Sequence, residues 1–371
     1  MKLVVERATL MKALGHVQSV VERRNTIPIL ANVLIEASGD GLRLMATDLD
    51  LQIVERVEAQ VEQEGATTAP AHTLFDIVRK LPEGSQVLLQ RSDGRLTVAA
   101  GRARFQLQTL PREDFPVIGE EDLPTRFALD AGVLREMIDK TRFAISTEET
   151  RYYLNGIFLH APRTNEGERK LRAVATDGHR LARFELALPA GAEAMPDVIV
   201  PRKCVAELRK LLDERDGAVE LALSEARIRF RVGEAVLTSK LIDGNFPDYS
   251  RVIPTANDRL LRIDPQTLAE GVDRVTAIAS DRTRAVKLSL DHDRVTLSVT
   301  SPENGTASED LPAVYSAPSF DVGFNSRYLL DILQQMDGDE VEVHLADAAA
   351  PTLIRQGAGA PALYVLMPMR V

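Results

Sequence analysis

The side chains best suited to acid–base chemistry are Asp177 and His179, in a Thr-Asp-Gly-His segment. A carboxylate and an imidazole two residues apart would share one face of a strand, and such a pair can exchange a proton with a substrate. No nucleophile, oxyanion motif or phosphate loop of the Walker type accompanies them. The residues therefore leave an enzyme using Asp177 and His179 open as an alternative, but we expect no catalysis.

Metal and thiol chemistry have little support in the sequence. Cys204 is the only cysteine, which excludes an internal disulfide and a Cys-cluster zinc site. The histidines are scattered without the spacing of metal ligands. We therefore expect no metal and no cofactor, and the single thiol fits a reducing, cytoplasmic setting.

The bulk composition fits a soluble globular protein: 44% of the 371 residues are hydrophobic and 27% are charged. The first apolar run is broken by Glu6 and Arg7, so it is no signal peptide, and no stretch is long and apolar enough to cross a membrane. The formal net charge of -10 argues against an ordinary tight DNA binder, because an acidic surface repels phosphate. A closed ring is different, since it can be basic only on the surface that faces its hole.

The elements that carry these residues recur along the chain. Segment 130–146 has apolar residues at helical spacing, and segment 264–280 has them at the same places. Leu10, Leu14 and Val17 repeat the pattern near the N-terminus. These predicted helices are apolar on one side only, so each must lie on a sheet.

A second predicted helix, followed by alternating strands, also occurs three times. Its copies are 73–84, 204–215 and 328–339. The strand segments 42–50 and 171–179 align as well. We therefore predict an α+β fold with three repeated domains of two helices and about eight strands on antiparallel sheets. The predicted domains are 1–124, 125–256 and 257–371.

Tandem repeats leave two assemblies open: an open scaffold that is a monomer or filament, and a curved array that closes head to tail into a ring. Segment 102–109 alternates polar and apolar residues, with Phe105 and Leu107 on the apolar face. This pattern predicts an edge strand suited to pairing across subunits. The predicted dimer interface consists of Phe105, Leu107 and Ile278.

Motifs spread over the whole chain resemble one family. They are RYYLNG (151–156), VATDGHRLA (174–182), VPRK (200–203), TSKLIDGNFPDY (238–249) and YVLMPMRV (364–371). In this order they resemble the bacterial DNA polymerase III beta subunit, the sliding clamp family. The resemblance implies the DNA-clamp fold and a head-to-tail homodimer whose six domains form a ring around duplex DNA. It also implies a role as processivity factor of the replicative polymerase.

The resemblance implies partners as well. A clamp loader opens the ring using ATP, while the polymerase alpha subunit, other polymerases and repair proteins dock by short peptides with a Gln and a pair such as Leu-Phe. Apolar and Met side chains would form a groove that fits several ligands, with His179, Arg180 and Arg370 as hydrogen-bond donors. The implied peptide pocket is Leu154, Thr176, Gly178, His179, Arg180, Leu181, Pro247, Arg251, Val252, Val365, Met367, Pro368, Met369 and Arg370.

DNA contacts are expected from a few loop and helix residues. The implied set is Arg24, Tyr152, Tyr153, Arg202 and Lys203. Other basic residues on predicted helices would face phosphates if those helices line a hole, and would otherwise be solvated. They are Lys12, Arg79, Lys80, Arg135, Lys140, Arg142, Arg209, Lys210 and Arg274. Modest basicity suits sliding, because many fixed phosphate contacts would pin the protein in place. Two departures weaken the expected rim contacts: His72 and Thr73 stand where basic residues are common, and Glu148 and Glu149 precede the tyrosines.

Overall fold

A computed structural model of the chain describes residues 1–39, 41–119, 122–164, 167–213, 215–279 and 284–371. Glu214 and Ser280, which belong to two of the predicted helix segments, lie outside these ranges. The α-helices of the described residues are α1 (Arg7–Val20), α2 (Ala71–Lys80), α3 (Ala131–Arg142), α4 (Arg202–Asp213), α5 (Pro265–Thr276) and α6 (Ser326–Leu333).

The strands of the described residues fall before, between and after these helices. The first set is β1 (Lys2–Glu6), β2 (Asn32–Ser38), β3 (Gly41–Thr47), β4 (Leu51–Glu58), β5 (Gln60–Gln63), β6 (Gly65–Pro70), β7 (Gln86–Ser92), β8 (Arg95–Ala100) and β9 (Ala103–Gln108). The second is β10 (Thr125–Asp130), β11 (Gly156–His160), β12 (Lys170–Thr176), β13 (Arg180–Ala187), β14 (Val198–Pro201), β15 (Ala218–Leu223), β16 (Arg227–Val232) and β17 (Ala235–Lys240). The third is β18 (Arg259–Ile263), β19 (Ala285–Asp291), β20 (Arg294–Ser301), β21 (Gly305–Pro312), β22 (Phe320–Asn325), β23 (Val341–Leu345), β24 (Thr352–Arg355) and β25 (Ala362–Leu366).

Polar side chains fix where several helices begin. The Glu6 carboxylate accepts the N–H of Thr9 at 2.8 Å at the start of α1. Asp264 accepts the N–H of Thr267 at 2.6 Å at the start of α5. Such caps satisfy backbone donors that the first helical turn leaves unpaired, so each helix can start directly after a strand.

The first compact unit comprises residues 1–135 and 189–242. Its larger sheet has the order β10-β15-β16-β17-β4-β3-β2-β6, and its smaller sheet has the order β5-β1-β7-β8-β9. In the larger sheet β17 is antiparallel to β4, with Leu237 opposite Ile53. Because this sheet continues across the predicted boundary at residue 124, the limits of the first two domains stay a prediction.

The second compact unit comprises residues 136–188 and 243–371. One of its sheets contains the order β11-β12-β13-β25-β24-β23-β18, and the other has the order β21-β20-β19-β22. Strand β13 is antiparallel to β25, with Leu181 opposite Val365. This pairing brings the Thr-Asp-Gly-His segment next to the C-terminal strand.

The apolar helix faces pack on the sheets, as the periodicity predicts. Leu10 and Leu14 of α1 are fully buried. In α5, a β-carbon at Gly271 would lie 2.8 Å from the Leu311 side chain, so glycine permits the helix to approach its sheet closely. The predicted α+β fold, with two helices in each repeat and antiparallel sheets, is confirmed.

Candidate functional site

A cavity of about 240 Å³ lies in the second unit, and most of the predicted pocket residues line it. The predicted residues found there are Leu154, Thr176, Gly178, His179, Arg180, Leu181, Pro247, Val252, Val365 and Met367. Four further residues complete the lining: Arg151, Tyr153, Asp248 and Tyr249. Residues from distant parts of the chain thus meet around one concave, largely apolar surface.

The turn between β12 and β13 forms one side of the cavity. The Thr176 hydroxyl donates to the Arg180 carbonyl at 2.7 Å and accepts the Gly178 N–H at 3.1 Å. The Asp177 carboxylate accepts the N–H groups of His179 and Arg180 at 2.9 and 3.0 Å. Gly178 has a φ of 89°, a left-handed conformation that favours glycine.

The Arg180 guanidinium stabilises this turn by hydrogen bonds to neighbouring segments. It donates to Asp331 at 2.5 Å, to Asp177 at 3.1 Å and to the Phe143 carbonyl at 2.7 Å. It also lies over the rings of Phe143 and Tyr328, at 5.1 and 4.4 Å from their centroids. Three of its five N–H donors are therefore bound within the protein, and a hydrogen bond from Arg180 to a ligand stays a prediction.

The opposite side of the cavity is apolar. Buried residues Leu181, Tyr249 and Val365 belong to one hydrophobic cluster, and Phe246 packs against it. The backbone N–H of Met367 donates to the His179 carbonyl at 2.9 Å, which ties the C-terminal segment to the turn. The Met367 side chain stays 37% exposed, so a flexible thioether stands at the rim of the cavity.

The buried His160 side chain fixes the position of Tyr249 through a hydrogen bond. The His160 ring nitrogen lies 2.9 Å from the Tyr249 hydroxyl, and Arg172 donates to the same oxygen at 3.4 Å. Burial, with a smaller contribution from the Arg172 charge, lowers the pKa of His160 to about 4. His160 is therefore neutral near pH 7, and the Tyr249 ring is fixed as a wall of the cavity.

Arg151 and Tyr153 extend the cavity along the 3-10 helix Glu149–Leu154. Arg151 donates to both oxygens of Glu148, at 2.8 and 2.6 Å. These hydrogen bonds lower the pKa of the Glu148 carboxyl. Tyr153 packs against Gly244, where a β-carbon would lie 3.1 Å from the tyrosine side chain. Tyr153, predicted as a DNA contact, thus lies in the cavity wall.

Four predicted pocket residues lie outside the cavity lining. They are Arg251, Pro368, Met369 and Arg370. Arg251 is bound to Asp248 at 2.9 Å. The Met369 N–H donates to the Gly323 carbonyl at 2.9 Å, which anchors the end of the chain on β22. Any ligand contact of these residues stays a prediction.

The predicted DNA residues of the first unit differ in their surroundings. Arg24 and Arg202 are exposed. Lys203 instead donates to Glu22 and Asp48, at 2.5 Å each, and to the Val20 carbonyl at 3.1 Å. Burial opposes its charge, but the two carboxylates raise the pKa of Lys203. Its ammonium ties α4 to neighbouring segments, so Lys203 is a weaker candidate for a phosphate contact.

Several other basic helix residues also have partners inside the protein. Lys140 is buried and donates to Asp337 and to the Gln335 carbonyl. Arg135 donates to the Leu212 carbonyl at 2.5 Å. The expectation that Lys140 faces phosphates is wrong, because its buried ammonium is already bound within the second unit. Tyr152 of the same unit is 54% exposed and stays a predicted DNA contact.

Strand β9 lies at the edge of its five-stranded sheet, as its alternation predicts. Phe105 is 38% exposed on this strand, and Leu107 is half-buried. In the second unit, Ile278 is half-buried just after α5. The edge position of β9 is confirmed, while the subunit interface stays a prediction.

The acid–base alternative loses its geometric basis. Asp177 and His179 lie in a turn and not in a strand, and the Asp177 carboxylate is engaged by backbone N–H groups and Arg180. Burial raises the pKa of the Cys204 thiol to about 12, so this cysteine is a poor nucleophile. No group of three or more His, Cys, Asp or Glu side chains in the described part of the chain is placed to hold a metal ion. Every helix in the described ranges is too short or too polar to span a membrane.

Comparison with known proteins gives a consistent result over the whole chain. Family models of the DNA polymerase III beta subunit match residues 1–119 as N-terminal domain, 128–248 as central domain and 250–370 as C-terminal domain. The beta sliding clamps of Caulobacter vibrioides and Escherichia coli are 53% and 38% identical over 374 residues, with complete coverage of both chains in each comparison. The crystal structure of a sliding clamp from Bartonella birtlesii bound to griselimycin is similar, with a TM-score of 0.98, 51% identity and complete coverage of both chains.

Proposed function

Because the chain belongs to the DNA polymerase III beta subunit family, we propose that it is a DNA sliding clamp, the processivity factor of the replicative polymerase. The observation that carries this proposal is the match of all three domains of the family, in order, along the chain. A sliding clamp is a non-catalytic subunit. It encircles duplex DNA and tethers other proteins to it, so retention depends on topology and not on a strong contact.

The ring would form from two chains joined head to tail. Strand β9 supports this, because it lies at a sheet edge with Phe105 exposed, and β21 lies at an edge of the four-stranded sheet in the second unit. Edge strands present unpaired N–H and C=O groups that can pair with another chain. Two different edges on each chain allow a closed dimer or, if the rotation does not close, a filament. Phe105, Leu107 and Ile278 are the proposed interface residues.

Contact with DNA in this function is weak and independent of sequence. Arg24, Arg202 and Tyr152 are the exposed candidates. Most of the other basic residues on the described helices are paired with carboxylates or carbonyls, which leaves few of these helix cations for phosphate. Few phosphate contacts give a shallow salt dependence and leave the ring free to move.

The cavity in the second unit is the proposed docking site for partner proteins. Its apolar wall and oriented backbone fit a short segment with a hydrophobic pair such as Leu-Phe, and a groove of this size suggests an affinity of about 1 µM. The proposed partners are the polymerase alpha subunit, other polymerases, repair proteins and the clamp loader. Two pockets in a dimer would strengthen binding of a bivalent partner. We place the protein in the cytoplasm, at replication forks.

Retention on DNA tests the topological part of the proposal. The protein is loaded with a clamp loader onto nicked circular DNA, and its release is followed by gel filtration before and after the circle is linearised. Stable retention on the circle and rapid loss from the linear form at moderate salt are expected. Equal retention on both forms would show that contacts, not topology, hold the protein. Analytical ultracentrifugation separates a closed dimer from the monomer or filament of an open scaffold.

Two variants separate the pocket from the interface. Deletion of Met367 to Val371 should remove peptide and polymerase binding while the dimer persists, because Met367 lines the cavity. Phe105→Asp should give monomers with peptide binding intact. A truncated protein that still stimulates polymerase fully would refute the pocket assignment, and a dimeric Phe105→Asp variant would refute the interface. The enzyme alternative predicts instead that His179→Ala abolishes catalytic turnover and leaves peptide binding intact.

A further inference from the structure

The arginine groove, an open groove of about 420 Å³, lies on strands β10, β15 and β16 of the larger sheet in the first unit. Its charged lining residues are Arg126, Glu220, Arg229 and Arg231. Ile228 and Phe230 alternate with the two arginines of β16 and are buried on the opposite face of the sheet, where α4 packs. The groove therefore lies on the solvent face, away from this helix.

The strand register places two arginines on either side of a small residue. Ala222 of β15 lies opposite Arg126 of β10 and also opposite Arg229 of β16. Because neighbouring strands are about 4.8 Å apart, the backbones of the two arginines stand roughly 10 Å apart, with only a methyl group between their side chains. Two guanidinium groups can therefore reach one carboxylate from both sides.

Both arginines keep donors for a ligand. The Arg126 Nε donates to the Leu123 carbonyl at 3.2 Å, and its two terminal nitrogens make no other hydrogen bond to a described residue. In the same part of the chain, no hydrogen bond or ion pair joins the Arg229 guanidinium to another side chain. Lys140 and Lys203 differ, because carboxylates already bind them. A guanidinium without a partner presents a fork of donors that fits a carboxylate.

The next position on this face of β16 adds a partly neutralised arginine. Arg231 lies opposite Glu220, and their exposed side chains pair at 3.4 Å. Arg229 and Arg231 are two residues apart on one face of a strand, a spacing of about 6.6 Å. Alternate side chains of any extended peptide have this spacing too, so an extended ligand along β16 meets both arginines in turn.

We propose that the arginine groove is a docking surface for an extended acidic segment of a partner protein. One carboxylate of the segment lies between Arg126 and Arg229, and the carboxylate two positions along it lies at Arg231. Charge complementarity carries this choice, because three arginines face a single glutamate here in a chain whose net charge is -10. The surface belongs to the first unit, so it goes beyond the proposed function of the cavity in the second unit.

Nucleic acid fits this groove less well than an acidic segment. Single strands bind by stacking their bases on aromatic rings beside basic side chains. The aromatic residues of the three strands, Phe127 and Phe230, are both buried, and Glu220 repels phosphate within the row of arginines. Under the proposed function, duplex DNA also lies beside the helices that line the ring, and not on this face of the sheet.

Two fluorescein-labelled synthetic peptides of equal length and charge test the register. Both are built from Thr with the same number of Glu residues, placed at every second position in one peptide and at every third position in the other. In an extended chain, only the first peptide has all its carboxylates on one side. Fluorescence anisotropy with the full-length protein at low salt should show about threefold tighter binding of the alternating peptide. Equal affinity of the two peptides would overturn the proposal.

Charge-neutralising variants locate the site. Arg229→Gln and Arg126→Gln should each weaken binding of the alternating peptide about fivefold. Glu220→Gln should strengthen it about twofold, because the substitution releases Arg231 from its partner. Arg294→Gln is a matched control, since it removes the same charge from an exposed strand residue that is paired with two aspartates. This control should change the affinity by less than about 1.5-fold.

Four results would contradict the proposal. Equal losses in Arg229→Gln and Arg294→Gln would show general electrostatic attraction, and an unaltered or weaker affinity of Glu220→Gln would show that no carboxylate lies at Arg231. An oligothymidylate that displaces the alternating peptide at a lower concentration than the unlabelled peptide does would assign the groove to nucleic acid instead. The melting temperatures of the variants should match wild type, and a loss of affinity that follows a fall in melting temperature would be structural.

Discussion

Two turns of the molecule share one backbone pattern but present different surfaces. In the first unit, the Thr47 hydroxyl donates to the Leu51 carbonyl at 2.9 Å and accepts the Leu49 N–H at 3.0 Å. In the second unit, Thr176 makes the equivalent bonds to Arg180 and Gly178. In each unit, a segment from later in the chain also bonds to the turn in the same way. The Lys240 N–H donates to the Asp50 carbonyl at 2.8 Å, and the Met367 N–H donates to the His179 carbonyl at 2.9 Å.

The side chains on these turns differ in charge and size. Asp48 binds Lys203, and Asp50 binds Lys240 at 2.9 Å, so ion pairs cover the first turn. In the second turn, glycine and Met367 stand at the positions of Leu49 and Lys240, and an apolar cavity adjoins them. The repeated backbone thus supplies a common support, while a few side chains decide whether an apolar cavity adjoins it.

An exchange at the left-handed position tests this conclusion most strongly. Gly178→Leu copies the first turn into the second, and we expect peptide binding to weaken at least about 30-fold, roughly 2 kcal/mol. A β-carbon at this φ is unfavourable and would meet Arg151. The reverse change, Leu49→Gly at a φ of 80°, should leave peptide affinity unchanged. Isothermal titration with a pocket peptide measures both, and an unaltered affinity of Gly178→Leu would contradict the comparison.

Asp331 stabilises the second turn by accepting a hydrogen bond from the Arg180 guanidinium, whereas Leu51 stands at the position of Arg180 in the first turn. Asp331→Asn removes the closer of the two carboxylates that hold Arg180, so we expect about tenfold weaker peptide binding and a loss of about 1 kcal/mol in the free energy of unfolding. Asp76→Asn is a matched control on α2, where the carboxylate makes an exposed pair with Arg79 at 3.1 Å. Urea unfolding and anisotropy should show little change for the control. Identical behaviour of the two variants would remove the special role of Asp331.

A charge exchange at the incoming strand sharpens the contrast further. Met367→Lys puts an ammonium at the apolar rim, and we expect about fivefold weaker binding of a Leu-Phe peptide because the cation loses hydration there. Lys240→Met in the first unit removes an exposed ion pair and should change neither binding nor stability by more than about 0.5 kcal/mol. The two affinities are compared at one salt concentration. A stronger effect from Lys240→Met would reverse the assignment of the site.

The smallest expected effect is a pH dependence of the free energy of unfolding that arises from His160, which lies next to Tyr249 in the cavity wall. The pKa of His160 is lowered from its ordinary value of 6.5 to about 4, so an unfolded chain takes up this proton at higher pH than the folded one. The contribution to stability is complete above pH 6.5 and is lost as pH falls toward 4. Between pH 6 and pH 5, wild type should lose about 1 kcal/mol more than His160→Gln in urea unfolding. Parallel pH profiles for the two proteins would rule out this contribution.

The sequence predicts most of the helices and strands that carry the cavity. Helical periodicity locates the helices, although α2, α4 and α6 begin two residues before the predicted segments, directly after a strand. Most of the residues predicted for the pocket line one cavity, while their use in peptide binding stays a prediction. The sequence does not identify four lining residues, because a motif does not reveal which side chains point inward. They are Arg151 and Tyr153 in RYYLNG, and Asp248 and Tyr249 in TSKLIDGNFPDY.

Long-range pairing is what the sequence does not predict. Lys203 and Lys140 both look like free cations on helices. Each is bound by carboxylates more than 150 positions away in the chain, as in the pairs with Asp48 and Asp337. The sequence predicts Asp177 and His179 on one face of a strand, but they lie in a turn that the Asp177 side chain caps. Such partners depend on how strands from distant segments pair, and no local pattern encodes that.

The buried thiol of Cys204 has a practical consequence for experiments. This side chain is 1% exposed, and burial keeps it protonated at neutral pH, so a maleimide dye should leave it untouched. A cysteine introduced at an exposed site can then be labelled selectively in the otherwise native protein. Fluorophores placed near β9 and β21 in this way would report, by energy transfer, whether these edges of two chains meet as proposed.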